Sequence, residues 1–254
     1  MDKVPDTPLF AIITVCFNAT ATIARTLQSV DSQSFGDYEH LIVDGASRDG
    51  TLDIVKAMPN PRRRVISEPD KGIYDAMNKG IDATSGKYLI FLNAGDKFHS
   101  SDTLSVIAQA IQQGGSPGVV YGQTIIVDNE GAFVSQRHLQ APENLTVESF
   151  ADGMLVCHQA FVASRDVAGH YNLKYRFSAD YDWCIRCLQQ STSNVGLHET
   201  VLIDYLSEGA TTQNFYKSLR ERFVIMAHYY GFVATALRHV RFLARWRKRR
   251  NTNR

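Results

Sequence analysis

The stretch that most limits what this chain can fold into is Tyr88-Leu-Ile-Phe-Leu-Asn-Ala-Gly-Asp96. It is an apolar run that stops at Asn93, Gly95 and Asp96. A short, non-alternating apolar segment closed by turn formers reads as a strand buried on both faces, the kind found in a parallel sheet covered by helices. Ligands of such sheets collect outside the carboxyl ends of the strands. Asp96 is therefore delivered to the place where chemistry occurs. A carboxylate there, beside an amide and a glycine, suits a hard divalent cation that also takes phosphate oxygens. The same residues are equally good material for a plain turn, so the rest of the chain has to decide.

The preceding sequence repeats the pattern. Residues 9–17 (LFAIITVCF) form a second apolar run, the expected first strand. Asn18 and Thr20 are placed to cap a helix over 19–30. A strand is expected at 38–44, with Gly45 to Ser47 ending it, and a helix at 51–57 capped by Ser47 or Asp49. A short strand follows at 65–66. Ile73, Met77 and Ile81 recur every four residues and place a helix over 72–81. Strands alternating with helices imply a parallel sheet with right-handed crossovers, an α/β architecture. After Asp96 the pattern loosens. A helix at 102–113, a hairpin pairing 119–127 with 132–138 across Asp128-Asn129-Glu130-Gly131, a helix at 179–188 and a strand at 195–205 point to a mixed second half. Residues 141–175 carry no readable period.

Several classes are disfavoured. No G-x-G-x-x-G follows the first strand and no G-x-x-x-x-G-K-[ST] occurs, which weighs against a nicotinamide dehydrogenase and a P-loop NTPase. A bound nucleotide would need its charge met by other means, and a metal at Asp96 is the natural candidate. The start, Met1-Asp-Lys-Val-Pro-Asp, is unlike a signal peptide. No apolar run reaches the roughly 20 residues of a membrane span. Cys184 and Cys187 form a Cys-x-x-Cys inside a helical segment with no second pair at zinc spacing, a weak metal or redox signal. Four cysteines in 254 residues fit a reducing cytoplasm.

With these residues in hand, the chain resembles the family-2 glycosyltransferases, inverting enzymes of the nucleotide-diphospho-sugar (GT-A) fold. The matching stretches are Ile12-Ile-Thr-Val-Cys-Phe-Asn18, Leu41-Ile-Val-Asp-Gly-Ala-Ser-Arg-Asp-Gly-Thr51, Glu68-Pro-Asp-Lys-Gly-Ile-Tyr-Asp-Ala-Met-Asn-Lys-Gly80, Phe91-Leu-Asn-Ala-Gly-Asp96 and Phe177-Ser-Ala-Asp-Tyr-Asp-Trp183. Each alone is modest; five in order are a specific signal. The nearest flavour is that of bacterial enzymes of exopolysaccharide, capsule or O-antigen synthesis. The resemblance implies a Rossmann-like, mainly parallel sheet with a mixed acceptor-side half. It divides the chain into a transferase domain over 1–210, with a nucleotide-binding half (1–97) and an acceptor half (98–210), and a helical basic extension over 211–254.

The resemblance also assigns roles. Asp96 becomes the last carboxylate of the family's D-x-D metal motif, holding Mg²⁺ or Mn²⁺; Asn93 and Gly95 stand where acidic residues are common, so the protein offers fewer ligands. Asp44 would read the nucleobase, Phe17 would supply an aromatic face, and Val15 would contribute backbone, with Asn18 beside them. Asp70, Lys71 and Gly72 would approach the nucleoside and diphosphate. Asn78 and Asn93 would lie near the donor. Asp180 would be the catalytic base, with Asp182 as the alternative carboxylate. Trp183 would line the acceptor pocket or serve the core, and His158-Gln159 matches a subfamily pattern near the sugar. The implied partners are a UDP- or GDP-sugar donor and a glycan or polyprenyl-linked acceptor.

The C-terminal region adds a different signal. Nine of the 27 basic residues fall from Arg222 onward with no acidic residue, which leaves 18 basic and 26 acidic residues before it. Residues 215–250 read as one long helix containing Gly231. Ala236, Val240, Leu243 and Trp246 share one side, and Arg238, Arg241, Arg245 and Lys248 the other. An amphipathic basic helix of this kind lies in an anionic bilayer surface, so 232–250 is expected to hold a cytoplasmic protein on the inner face of the plasma membrane. An acidic body without a recognition motif argues against nucleic acid. Two alternatives remain at this level: a nucleotidyltransferase, or a non-catalytic relative that binds a nucleotide-sugar or a membrane partner.

Overall fold

A computed structural model describes residues 7–207 and 215–240. In chain order the first half contains β1 (Phe10–Cys16), α1 (Ile23–Asp31), β2 (Tyr38–Asp44), α2 (Thr51–Ala57), β3 (Arg63–Ser67), α3 (Ile73–Ala83) and β4 (Tyr88–Phe91). The second contains β5 (Lys97–Phe98), α4 (Thr103–Gln113), β6 (Val119–Val127), β7 (Phe133–Gln136), β8 (Phe161–Ser164), α5 (Ala179–Gln190), β9 (Asn194–Leu206) and α6 (Phe215–Tyr230). A further helix, α7, covers 232–240.

One sheet runs through both halves in the order β3-β2-β1-β4-β8-β6-β9-β5, with β7 paired to β6. The pairs β1–β2, β2–β3 and β1–β4 are parallel. Every residue of β1 and of β4 is buried, as expected for strands covered on both faces. Ile12 and Ile13 point to opposite faces and both are fully buried. Burial of each is worth about 1.5–3 kcal/mol, so neither face of β1 can accept a polar side chain cheaply.

From β1 the chain winds outward to β2 and β3, and β4 then returns to the other side of β1. That reversal opens a crevice at the carboxyl ends of β1 and β4. Phe17 and Asn18 follow β1, and Asn93 to Asp96 follow β4, so both segments border the crevice. Beyond β4 the sheet is mixed: β8 is antiparallel to β4 and to β6, while β6 and β9 are parallel. The expected hairpin is present as the antiparallel β6–β7 pair.

Two helix expectations change. The first helix begins at Ile23, not at residue 19. Asn18 adopts a left-handed backbone (φ 48°), and residues 18–20 bond to the loop after β2 instead of capping α1. The Asn18 amide donates to Ser47 Oγ at 2.8 Å, the Arg48 amide donates to Asn18 Oδ1 at 3.0 Å, and the Thr20 amide donates to Asp49 Oδ2 at 3.1 Å. The second change is at the C-terminus. Gly231 takes φ +83°, a conformation open to glycine and closed to helix, so α6 ends at Tyr230 and α7 starts anew. Leu243, Trp246, Arg241, Arg245 and Lys248 lie outside the described residues.

The stretch without readable period, 141–175, contains two short 3₁₀ turns, Glu148–Asp152 and His158–Ala160, and the four-residue strand β8. Elements this short leave too few turns for a period to show.

Candidate active site

Two adjoining cavities occupy the crevice. The first, of about 520 Å³, is lined by Val15, Phe17, Asn18, Asp70, Gly72, Asn93 and Asp96, among others. The second, of about 240 Å³, is lined by Tyr74, Arg137, His158, Gln159, Asp180 and Arg222, among others. Ile73, Asn93 and Tyr205 line both. Asp96 thus belongs to one chamber and Asp180 to the next, with Asn93 between them.

The turn that carries Asp96 is held from three sides. Gly95 has φ +106°, and a Cβ there would come within 2.7 Å of Leu206 Cδ2. The Gly95 amide donates to Thr26 Oγ1 (2.9 Å), and that hydroxyl donates to the Asp96 carbonyl (2.7 Å), so α1 clamps the turn. Oδ2 of Asp96 accepts from Gln159 Nε2 at 2.8 Å, and Oδ1 accepts from the Leu206 amide at 3.0 Å, at the end of β9. Asp96 is 4% exposed. Burial pushes its carboxyl up to about 7, against the opposing pull of the Leu206 amide, the Gln159 amide and the Arg25 charge.

Each Asp96 oxygen accepts one hydrogen bond and keeps capacity for another partner. Oδ1 of Asn93 is buried with no hydrogen-bond partner, and Asn93 lines the same chamber. A carboxylate strained toward neutrality and an orphaned amide oxygen fit a hard cation whose remaining positions are filled by phosphate oxygens and water. Among the described residues no group of three or more acidic, histidine or cysteine side chains forms a complete protein cage.

Asp180 and Asp182 lie in the first turn of α5 and diverge. Oδ1 of Asp180 accepts from the Tyr74 hydroxyl at 2.9 Å, and its side chain faces the second chamber. Asp182 is buried against other partners: Arg186 Nε donates to Oδ2 at 2.8 Å, and the Tyr229 hydroxyl donates to Oδ1 at 2.9 Å. The alternative carboxylate is therefore a bracket between α5 and α6. His158 is buried at the chamber wall; burial lowers its pKa to about 4 despite the Asp180 charge, so its ring is neutral, and Nε2 lies 2.6 Å from the Tyr171 hydroxyl.

The remaining expected residues separate into two groups. Phe17, 64% exposed, stands over the first chamber beside Val15, Asn18, Asp70 and Gly72. Asp44, Lys71 and Asn78 line neither chamber. Asp44 is fully buried: it accepts from the Ser47 hydroxyl and amide, from Ser67 Oγ at 2.6 Å and from the Cys16 thiol. Burial alone would raise its pKa, but these donors outweigh it and hold the carboxyl below the ordinary range. In this geometry Asp44 anchors the loop after β2. Lys71 is exposed. Asn78 clamps the backbone of Tyr171, donating to its carbonyl at 3.0 Å and accepting from its amide at 2.7 Å. Trp183 is core: fully buried, stacked on Tyr171 with ring centroids 5.0 Å apart. Cys184 and Cys187 are buried free thiols whose pKa is raised by burial, which leaves them inert.

A family model described as glycosyl transferase family 2 matches residues 11–171. The chain belongs to glycosyl transferase family 2. It is 32% identical to the PGL/p-HBAD biosynthesis glycosyltransferase of Mycobacterium bovis over 265 aligned residues, covering 96% of this chain and 99% of that one. It is 28% identical to the amylovoran biosynthesis glycosyltransferase AmsB of Erwinia amylovora, over 70% of this chain and 63% of that one. Among solved structures, residues 1–349 of TarS from S. aureus superpose with TM-score 0.72 at 18% identity, covering 92% of this chain and 72% of that one. The mannosyltransferase PcManGT of Pyrobaculum calidifontis, in complex with GDP-Man and Mn²⁺, superposes with TM-score 0.59 at 17% identity over 94% and 76%. These likenesses establish a GT-A type fold, and the chain is a glycosyltransferase.

Asp96, Asp180 and Tyr74 fall inside the matching motif blocks, whereas Arg137, Tyr205 and Arg222, which line the chambers with them, do not. Arg137 follows β7 and Arg222 sits on α6, both remote in sequence from the motif blocks. No spacing in the chain marks them, and only the packing of α6 against α5 brings Arg222 to the chamber.

Proposed function

We propose that this glycosyltransferase moves a sugar from a UDP- or GDP-sugar to a hydroxyl of a glycan or lipid-linked acceptor, with inversion at the transferred carbon, in cell-surface polysaccharide or glycolipid synthesis. The observation that carries the reading is the division of two carboxylates between adjoining chambers. Asp96 and Asn93 face the chamber where Phe17, Asp70 and Gly72 would receive the nucleoside and diphosphate. Asp180 faces the chamber where an acceptor would enter. TarS in complex with UDP-GlcNAc and PcManGT with GDP-Man and Mn²⁺ support a nucleotide-sugar donor and a divalent cation.

In this scheme the acceptor oxygen attacks the sugar carbon, its proton passes to Asp180, and the carbon–oxygen bond to the diphosphate breaks with its electron pair on the leaving phosphate. A cation at Asp96, when bound, neutralises charge developing on that phosphate. Among the described residues Asp180 is the only carboxylate lining the acceptor chamber, so a covalent carboxylate nucleophile has no second group to serve as base, which favours a single displacement. Asp44 would reach a nucleobase only by exchanging one of its present donors, Cys16, Ser47 or Ser67, for the ring N–H.

The membrane reading rests on α7. Phe232, Val233, Leu237 and Val240 are exposed while Thr235 and His239 on the other side are buried. Taking 100° per residue, these apolar side chains and Ala236 cover one arc of the helix. Residues 241–254 add seven basic side chains and no acidic one. An outward apolar stripe next to a basic segment suits an anionic bilayer surface, which supports a peripheral position on the inner face of the plasma membrane. Among the described residues no helix is long and apolar enough to cross a membrane.

A thermal-shift screen of nucleoside diphosphates with and without Mn²⁺ tests the donor assignment, because a ligand that binds only the folded state raises Tm by mass action. A metal-dependent shift with UDP or GDP is the expected result. Transfer that survives in both Asp96→Ala and Asp180→Asn would overturn the assigned roles.

A further inference from the structure

The acceptor chamber contains two guanidinium groups that the reaction scheme does not use. Arg137 donates Nη1 to the carbonyls of Leu139 (2.8 Å) and Leu155 (2.9 Å), and Nη2 to that of Met154. Three of its five N–H groups go to neutral acceptors, which leaves its charge uncompensated among the described residues. Nε of Arg222 is buried with no hydrogen-bond partner. Among the described residues neither arginine has a carboxylate within salt-bridge distance. The lining thus holds two cations and one anion, Asp180, with His158 neutral.

Arg222 is not a loose surface side chain. The segment that carries it is fastened to the start of α5 on both sides. Glu221 accepts from the amides of Arg176 (2.9 Å) and Phe177 (2.7 Å), Ser218 and Ser178 hydroxyls meet at 2.9 Å, and Tyr229 bonds Asp182. Burying a guanidinium N–H without an acceptor costs free energy. Holding an arginine and an aspartate in one 240 Å³ chamber without pairing them leaves room for a group between them.

Resting on the acceptor reading above, we propose that Arg222, supported by the field of Arg137, binds an anionic oxygen group of the acceptor, a phosphate or carboxylate placed close to the hydroxyl that attacks. Guanidinium groups match such oxyanions in bidentate geometry. Arg222 does not line the donor chamber, which assigns the anion to the acceptor and not to the donor diphosphate. The acceptor class is then a phosphate-linked lipid sugar or an acidic glycan, and a neutral glycan is a poor substrate.

The test reads binding and not transfer, so it stands apart from the catalytic assignment. Tm is measured in EDTA while inorganic phosphate or acetate replaces chloride at constant ionic strength. Wild type is expected to show saturable stabilisation by at least one of the two anions; phosphate points to the lipid phosphate, acetate to the acidic glycan. Arg222→Met should abolish it, and Arg222→Lys, which keeps the charge, should weaken it about tenfold. Asp180→Asn should strengthen it by removing the neighbouring negative charge, and Asp96→Ala should leave it unchanged. If Arg222→Met fails to fold, the lysine variant decides alone. No stabilisation beyond chloride in wild type, equal stabilisation in the arginine variants, or loss in Asp96→Ala would each overturn the proposal.

Discussion

The Tyr74 hydroxyl donates to Oδ1 of Asp180 across 106 residues of sequence, at 2.9 Å. The bond joins α3, which borders both chambers, to α5, which borders the second. The proposed base is therefore oriented by the half of the protein that would hold the donor.

Asp180→Asn keeps the shape and removes the proton acceptor, so kcat should fall by about 10²–10⁴ with donor affinity unchanged. Tyr74→Phe should lower kcat less, because it loosens the carboxylate without removing it. Asp182→Asn should mainly lower Tm, since Asp182 holds Arg186 and Tyr229. Steady-state kinetics beside a melting curve separates the three, and equal kinetic losses at positions 180 and 182 would contradict this division.

Gln159 fixes Oδ2 of Asp96 and is itself held by the Cys157 thiol, which donates to its Oε1 at 2.9 Å. Groups that orient a metal ligand typically matter 10–100-fold in affinity. Gln159→Leu should raise the Mn²⁺ concentration for half-maximal nucleoside-diphosphate stabilisation by about that factor. An unchanged Mn²⁺ requirement would detach Asp96 from metal binding.

His40 is buried between Thr14 Oγ1 (3.0 Å from Nε2) and Arg63, whose Nε donates to Nδ1 at 3.2 Å. Arginine only donates, so Nδ1 accepts and Nε2 carries the proton. Burial, with the Arg63 charge, lowers the ring pKa from 6.5 to about 3. Between those values the unfolded chain binds the extra proton, so stability rises with pH through this window. The contribution is complete above about pH 6.5 and is lost as pH falls toward 3. Tm should drop below pH 6, and His40→Gln should drop less steeply between pH 6.5 and 4. Parallel curves would refute this.

The apolar face of α7 predicts sedimentation with anionic vesicles and release by salt. Val233 and Leu237, 71% and 63% exposed, are the residues to change. Val233→Glu with Leu237→Glu should abolish vesicle binding while Tm and transfer to a soluble acceptor persist. Binding that survives the pair would locate the membrane contact elsewhere.

Local pattern was enough for much of this protein. Apolar runs at 9–17 and 88–92 made buried parallel strands because both faces of each had to leave water. The turn at 93–96 follows β4 directly and so sets Asp96 at the crevice, and the block at 177–183 carries Asp180 at the start of α5. What the sequence could not decide was which polar side chains the interior would claim. Asp44 and Asp182 look as available as Asp96 and Asp180, yet they line neither chamber: Ser47 and Ser67 hold the first and Arg186 and Tyr229 the second. Those partners are distant or on another helix face, and their reach depends on how layers stack. Arg222 carries the same lesson reversed: nothing local distinguishes it from other basic residues near the C-terminus. Only the docking of α6 on α5 buries its Nε without an acceptor, because packing, and not composition, sets which charges lose their water.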